Sequence, residues 1–287
     1  MIPTPRPEYP RPQLRRQDWT NLNGEWSFAF DDTDAGLANG WQSVTPEDLH
    51  SDNSPFDRKI LVPYCYQSKL SGIGETAFHD VVWYARAFQY APAGDERLLL
   101  HFGAVDYRAT VWLNGTQVAS HEGGHTPFSA DVTHALAGGE NVLVVRAEDP
   151  SRDVTIPRGK QYWKVGSEGI FYTRTTGIWQ TVWLETVPET YLARIQWTPH
   201  LERWAIDLKA YTIGPRSNAM RVSVRLRCRG RVLVDDSYQV IHSEVNRGIA
   251  LSDPGIDDFR NEILWAPEHP TLIDAEIRLW DGDRLVG

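Results

Sequence analysis

Apolar residues in this chain recur with a period of two far more often than with the 3.6 of an amphipathic helix, so the pattern predicts half-buried strands. After the turn pair Asn23-Gly24, the residues Trp26, Phe28 and Phe30 alternate with polar or small neighbours. Residues 83–88 and 98–103 read as further strands. Residues 109–113 and 116–119 flank Asn114-Gly115, the strongest short-range hairpin signal. Residues 141–147 follow a Gly138-Gly139 turn, and 177–184 read as one more strand. The best helix start is Thr45-Pro46, an N-cap followed by a first-turn proline, with room for one or two turns. Many strands at irregular spacing joined by longer loops predict a jelly-roll β-sandwich.

Around Val187-Pro188 the texture changes. Ile206, Leu208 and Ala210 share one side of a strand, and Val222, Val224, Leu226 and Cys228 share one side of another. The other side of the second strand carries Arg221, Ser223, Arg225, Arg227 and Arg229, and Gly230 turns the chain into Val232-Leu233-Val234. About 100 residues of this kind fit an immunoglobulin-like sandwich without the cysteine pair of antibody domains. The predicted class is therefore all-β, with a jelly-roll over residues 1–187 and an immunoglobulin-like sandwich over 188–287. At the end, Asp281-Gly282 turns the chain into a strand that stops at Gly287. So short a return predicts a fragment of a longer protein.

Composition narrows the function. Two hundred and eighty-seven residues, 41% hydrophobic and 23% charged, suit two soluble domains. Thirty-eight acidic against 29 basic residues give a net charge of −9, the wrong sign for nucleic acid. No run approaches the ~20 apolar residues of a membrane span, and residues 1–7 lack the apolar core of a signal peptide, so a cytoplasmic location is expected. Two cysteines exclude a disulfide scaffold. Twelve Trp, 11 Tyr and 9 Phe supply core, and equally faces that stack on sugar rings.

His121-Glu122-Gly123-Gly124-His125 matches the zinc-protease expression, but that chemistry needs both histidines on one helical face. Two glycines and the following Thr126-Pro127 oppose a helix, so no metal site is assigned and no cofactor is expected. Asn114-Gly115-Thr116 is a formal glycosylation sequon that the hairpin turn already explains. The arginine stripe reads as the solvated face of a half-buried strand. More informative is the long loop from about Pro150 to Gly169, where Arg158, Lys160, Gln161, Tyr162 and Trp163 combine hydrogen-bond donors with stacking faces. An ordinary crossover loop with inward-packed aromatics fits that composition equally well.

An ordered set of motifs makes the chain similar to family 2 glycoside hydrolases, the beta-galactosidase, beta-glucuronidase and beta-mannosidase group. The set begins with Trp19, Leu22-Asn23-Gly24, Trp26 and Phe28, and continues through Val62-Pro63, Gln67-Ser68 and Trp83-Tyr84 with Arg86 and Phe88. Phe102-Gly103-Ala104-Val105-Asp106-Tyr107, Val111-Trp112 with Asn114-Gly115, residues 121–128 and Asp131-Val132-Thr133 follow in the family's order. Residues 157–161 and 174–180 complete the first domain, and 264–270 resemble the segment that closes the family's immunoglobulin-like domain.

The resemblance implies a sugar-binding, galactose-binding-like jelly-roll and an immunoglobulin-like domain, followed in the family by a (β/α)8 barrel that this chain lacks. Two barrel glutamates perform the retaining chemistry. Asn261-Glu262 is the chain's only Asn-Glu pair, and it lies in the immunoglobulin-like segment, so it is not assigned as catalytic. The chain alone is expected to be inactive, shaping the rim of a site that binds a glycoside substrate together with its own barrel. The candidate rim is Arg158, Lys160, Gln161, Tyr162, Trp163, Tyr172 and Arg174. Several galactosidases and glucuronidases carry a substrate-facing Asp six residues before the glycine matching Gly177; here Phe171 stands at that place. A self-standing carbohydrate-binding module and an assembly scaffold are the alternatives. Neither nucleic acid nor membrane is an expected partner, and a homo-oligomer is compatible with the sequence.

Overall fold

The computed structural model describes residues 3–91, 93–251 and 262–287, and the chain divides into two compact units, 1–186 and 187–287. In the first unit β1 (Trp19–Asn21), β2 (Gly24–Phe30), β3 (Arg58–Val62), β4 (Val81–Tyr90), β5 (Arg97–Phe102) and β6 (Val105–Asp106) are followed by the hairpin β7 (Arg108–Leu113) and β8 (Thr116–Glu122). β9 (Phe128–Asp131), β10 (Gly139–Glu148), β11 (Gly177–Ile178) and β12 (Val182–Val187) complete it, β12 running one residue past the unit boundary. Six strands form one sheet in the order β3-β2-β4-β10-β7-β8, and four form a second in the order β1-β12-β5-β9. The turn at Asn114 and Gly115 has positive φ at both residues (50° and 78°), as a tight two-residue hairpin demands. α1 (Pro46–Leu49) is one turn long, with Thr45 and Asp48 forming a reciprocal capping box.

The inward residues of the two sheets make one core: Trp26, Phe28, Tyr84, Val111, Leu143 and Val145 from the larger sheet, Leu98, Leu100, Phe102 and Leu184 from the smaller. Complete burial of such side chains contributes about 1.5–3 kcal/mol each. The alternate residues of the larger sheet, Trp83, Ala85, Trp112 and Val144, are buried as well, beneath Trp41, Leu49 and Phe56 from the segment that holds α1. The strand expected over 177–184 is two strands. Gly177–Ile178 pairs with β6, whereas Val182 onward pairs with β1 in the four-stranded sheet. The break falls where Trp179 N donates to Ala104 O (3.3 Å) and Gly103 N to Thr181 O (2.9 Å), so a single straight ladder gives way to a sheet change.

The outer face of the four-stranded sheet is polar and covered by the N-terminal segment. Glu185 on β12 has no solvent exposure. It accepts from Arg11 Nη2 (3.0 and 2.8 Å), Arg16 Nε (2.9 Å), Trp183 Nε1 (2.9 Å) and the Tyr9 hydroxyl. His101 stacks on Trp183 (4.8 Å between ring centres), with Nε2 3.4 Å from Glu185 at ion-pair distance but without hydrogen-bond geometry. Burial pushes the Glu185 carboxyl up, yet His101, Tyr9 and Trp183 outweigh it and hold the group well below the usual carboxylate range.

The second unit contains β13 (Tyr191–His200), β14 (Ala205–Ile213), β15 (Met220–Cys228), β16 (Arg231–Gln239), β17 (Glu244–Ala250), β18 (Trp265–Ala266), β19 (His269–Pro270), β20 (Asp274–Asp281) and β21 (Arg284–Leu285). A three-stranded sheet, β13-β14-β17, faces a four-stranded one, β16-β15-β20-β21. The core between them is Leu208, Ala210, Val222, Val224, Leu226, Val245 and Leu279, the inward positions that alternation predicts. This is the immunoglobulin-like arrangement. A groove of about 350 Å³ runs along the outer face of its larger sheet, lined by Arg221, Ser223, Arg225, Asp235, Glu276, Arg278 and Trp280. Arg225 of the arginine stripe pairs across strands with Asp235 (2.7 Å), and Arg278 pairs with Glu276 along β20. Asn261 lies outside the described residues. No helix among the described residues is long and apolar enough to cross a membrane.

Candidate functional site

The loop from Asp149 to Thr176 joins β10 to β11 and is braced by its own polar side chains. At its start, Asp149 N donates to Asp80 O (2.8 Å) and Ser151 N to Asp80 Oδ1 (2.9 Å). Arg158 is half-buried and curls back on the loop, donating to Ser151 O (3.1 Å) and to Asp153 O. Across the middle, Tyr162 N donates to Tyr172 O (2.7 Å) and Tyr172 N to Lys160 O (2.8 Å), closing a miniature ladder. Inside that closure Tyr162 stacks on Phe171 (5.1 Å, 7° between planes), and Trp163 meets both rings edge-on. The Tyr162 hydroxyl donates to Glu168 (2.9 Å).

The seven candidate residues divide by direction. Lys160, Trp163 and Tyr172 face solvent, the two aromatics 53% and 65% exposed, with the Lys160 ammonium 6.0 Å from the Tyr172 ring centre. Tyr162 and Arg158 hold the loop's shape. Arg174 is 5% exposed and points inward, where it donates to the side chain and carbonyl of Asp149, while Thr176 Oγ1 donates to the other Asp149 oxygen (2.6 Å). A guanidinium engaged in this way has no free edge for a ligand. Gln161 is a bridge: its Nε2 donates to Asp106 Oδ2 (2.8 Å), and its Oε1 accepts from Thr175 N (2.8 Å).

Asp106 and Asp149, the carboxyls that anchor the loop, are residues that reading the sequence missed. Asp106 was visible only as part of the Phe102–Tyr107 motif, with nothing in its spacing to show which loop it faces. It is 3% exposed, and a Cβ placed on Gly124 would lie 2.2 Å from its Oδ1, so that glycine makes room for the carboxyl. Burial first, and then the negative charge of Asp149, push the Asp106 carboxyl up to about 6; Gln161, His125 and Arg174 pull the other way. Both aspartates are buried behind the loop, and neither presents an open carboxyl to a substrate. The His121–His125 segment is a strand end and a turn. His121 Nε2 lies 2.9 Å from Thr126 Oγ1 and its ring stacks on Phe128.

Two β-sandwiches in series, the first carrying a long aromatic-rich loop, define an all-β, two-domain chain. The sequence profile "Glycosyl hydrolases family 2, sugar binding domain" matches residues 19–188, more than half of the chain, and the chain belongs to that family. The beta-glucuronidase of Canis lupus familiaris is 26% identical over 94% of this chain and 43% of its own length. The beta-galactosidase of Thermoanaerobacter pseudethanolicus is 24% identical over 71% of this chain and 27% of its own. Among solved structures, Bifidobacterium dentium beta-glucuronidase complexed with coumarin-3-O-glucuronide superposes with a TM-score of 0.68 at 21% identity, covering 95% of this chain and 48% of that one. Ruminococcus gnavus beta-glucuronidase gives 0.65 at 20%, covering 97% and 44%. The chain thus spans less than half the length of these relatives.

Proposed function

We propose that this chain is the sugar-recognising, non-catalytic part of a retaining family 2 glycoside hydrolase, acting with a (β/α)8 barrel that supplies both catalytic carboxyls. The observation that carries the reading is the trio Lys160, Trp163 and Tyr172, exposed on a loop that Arg158, Gln161 and Arg174 brace. Exposed aromatic faces beside an ammonium suit a pyranose ring bearing a hydroxyl or carboxylate. Arg158, Gln161, Tyr162 and Arg174 act one step back, by fixing the backbone from which the trio projects. Phe171, packed on Tyr162, brings no charge to the rim, which leaves Lys160 to favour an anionic sugar such as a hexuronide.

The test is a titration of the 287-residue chain with glucuronide and galactoside ligands, followed by tryptophan fluorescence. Lys160→Ala should lose discrimination in favour of the glucuronide, and Trp163→Ala should weaken both, with melting temperatures close to the parent's. Equal affinity in parent and variants would overturn the rim assignment. The same chain is expected to turn over no nitrophenyl glycoside, because retention needs two accessible carboxyls about 5–5.5 Å apart. Turnover abolished by mutating a carboxylate of this chain would refute that part.

A further inference from the structure

The buried carboxyl of Asp106 is where the braced loop meets the rest of its sandwich. Its side chain is held by a neutral amide, Gln161, and sits over Gly124 in space that no other residue type would leave open. The groups that act on it electrostatically come from several elements: Asp149 after β10, Arg174 within the loop, His125 in the turn after β8, and the thiol of Cys65 after β3. Of these, the one permanent cation, Arg174, is engaged by both the side chain and the carbonyl of Asp149. Asp106 is thus a carboxyl buried under the influence of another carboxylate, with the Arg174 guanidinium engaged by Asp149.

We propose that Asp106 makes the 158–175 loop a pH-responsive clasp, which closes more firmly when the Asp106 carboxyl is protonated and slackens when it ionises. The protonated acid still offers its carbonyl oxygen to Gln161 Nε2, so closure keeps its hydrogen bond while losing the buried charge. The direction follows from linkage. Closed, the carboxyl stands near 6; opening the loop to water returns it toward its ordinary 3.8. Closing therefore takes up a proton, and acid favours it. With full solvation on opening, the opening equilibrium grows about tenfold between about pH 5 and about pH 7.5. Only the functional consequence, pH-dependent presentation of Lys160, Trp163 and Tyr172 to a sugar, rests on the rim reading above.

The test is hydrogen exchange of the 158–175 amides in the 287-residue chain at those two pH values, corrected for intrinsic rates. In the parent and in His125→Gln the opening equilibrium should rise about tenfold. In Asp106→Asn, which fixes a neutral acceptor in place, it should stay low and flat. A flat parent, a pH response retained in Asp106→Asn, or one abolished by His125→Gln would each overturn the proposal. Gln161→Leu gives a second reading should Asp106→Asn fold poorly: its loop should exchange fast at both pH values, and unchanged protection would overturn the clasp. Exchange is read without sugar, so a loop that switches in a chain that binds no glycoside supports the clasp and refutes the rim reading.

Discussion

Replacing Glu185 by Gln is the sharpest probe of the first unit. The substitution keeps the shape, removes the charge and turns one acceptor oxygen into an NH2 group among donors. In the parent that carboxylate takes hydrogen bonds from Arg11, Arg16, Trp183 and Tyr9 with no exposure to water. Removing one partner of a buried ion pair costs about 3–5 kcal/mol, chiefly by stranding the other. Arg11 and Arg16 keep 30% and 15% of their side-chain exposure, so water softens the loss and the lower end, about 3 kcal/mol, is expected. For a unit of this size that is roughly 6–12 °C in Tm, read by near-ultraviolet circular dichroism at neutral pH. The sign with pH is also fixed. The folded value lies below the ordinary 4.5, so the carboxylate's contribution is complete above that value and drains away as pH falls toward the folded one. The gap between parent and Glu185→Gln should narrow on acidification below about pH 4.5. A loss under about 1 kcal/mol at neutral pH, or a gap that does not shrink by about pH 3, would refute the reasoning.

Three further outcomes are expected. Asp106→Asn should raise stability to urea at neutral pH by up to about 3 kcal/mol, because a carboxyl raised from 3.8 to about 6 costs stability as pH rises through that window; the gain should vanish below about pH 4. Gly177→Ala should abolish stable folding or cost more than about 3 kcal/mol, seen as lost soluble yield, since its Cβ would lie 2.1 Å from the Tyr84 hydroxyl oxygen at a φ of 85°. Leu208→Ala, in the core of the second unit, should cost about 2–5 kcal/mol and lower only that unit's calorimetric transition.

The fold was largely legible because strand periodicity and turn chemistry are local. Trp26 and Phe28, Val222 through Cys228 and the Asn114-Gly115 turn occupy the sides and positions that alternation assigns. The strand over 177–184 misled because its residues are apolar on both sides of the break, so nothing local marks the change of sheet after Ile178. At the candidate site the loop was found by its composition, but the direction of each side chain was not. Arg174 turns inward because Asp149 awaits it 25 residues earlier, and Gln161 because Asp106 lies 55 residues earlier. Pairings at that separation leave no spacing in the sequence. Lys160 and Trp163 contact rings of their own loop, Tyr172 for the first and Tyr162 and Phe171 for the second, and composition alone does not show which way such residues face.

The ladder between β1 and β12 has a mechanical meaning. Trp19 lies opposite Glu185, Thr20 opposite Leu184 and Asn21 opposite Trp183, so the first and last strands of the unit run side by side in opposite directions. A chain stretched from both ends would pull this pair apart tooth by tooth, from Trp19 and Glu185 inward, rather than shear the whole ladder at once. Such peeling yields at low force unless its first tooth is fastened. Tyr9, Arg11 and Arg16 grip Glu185 at that position, so the N-terminal segment serves as the stop at the open end of a zipper.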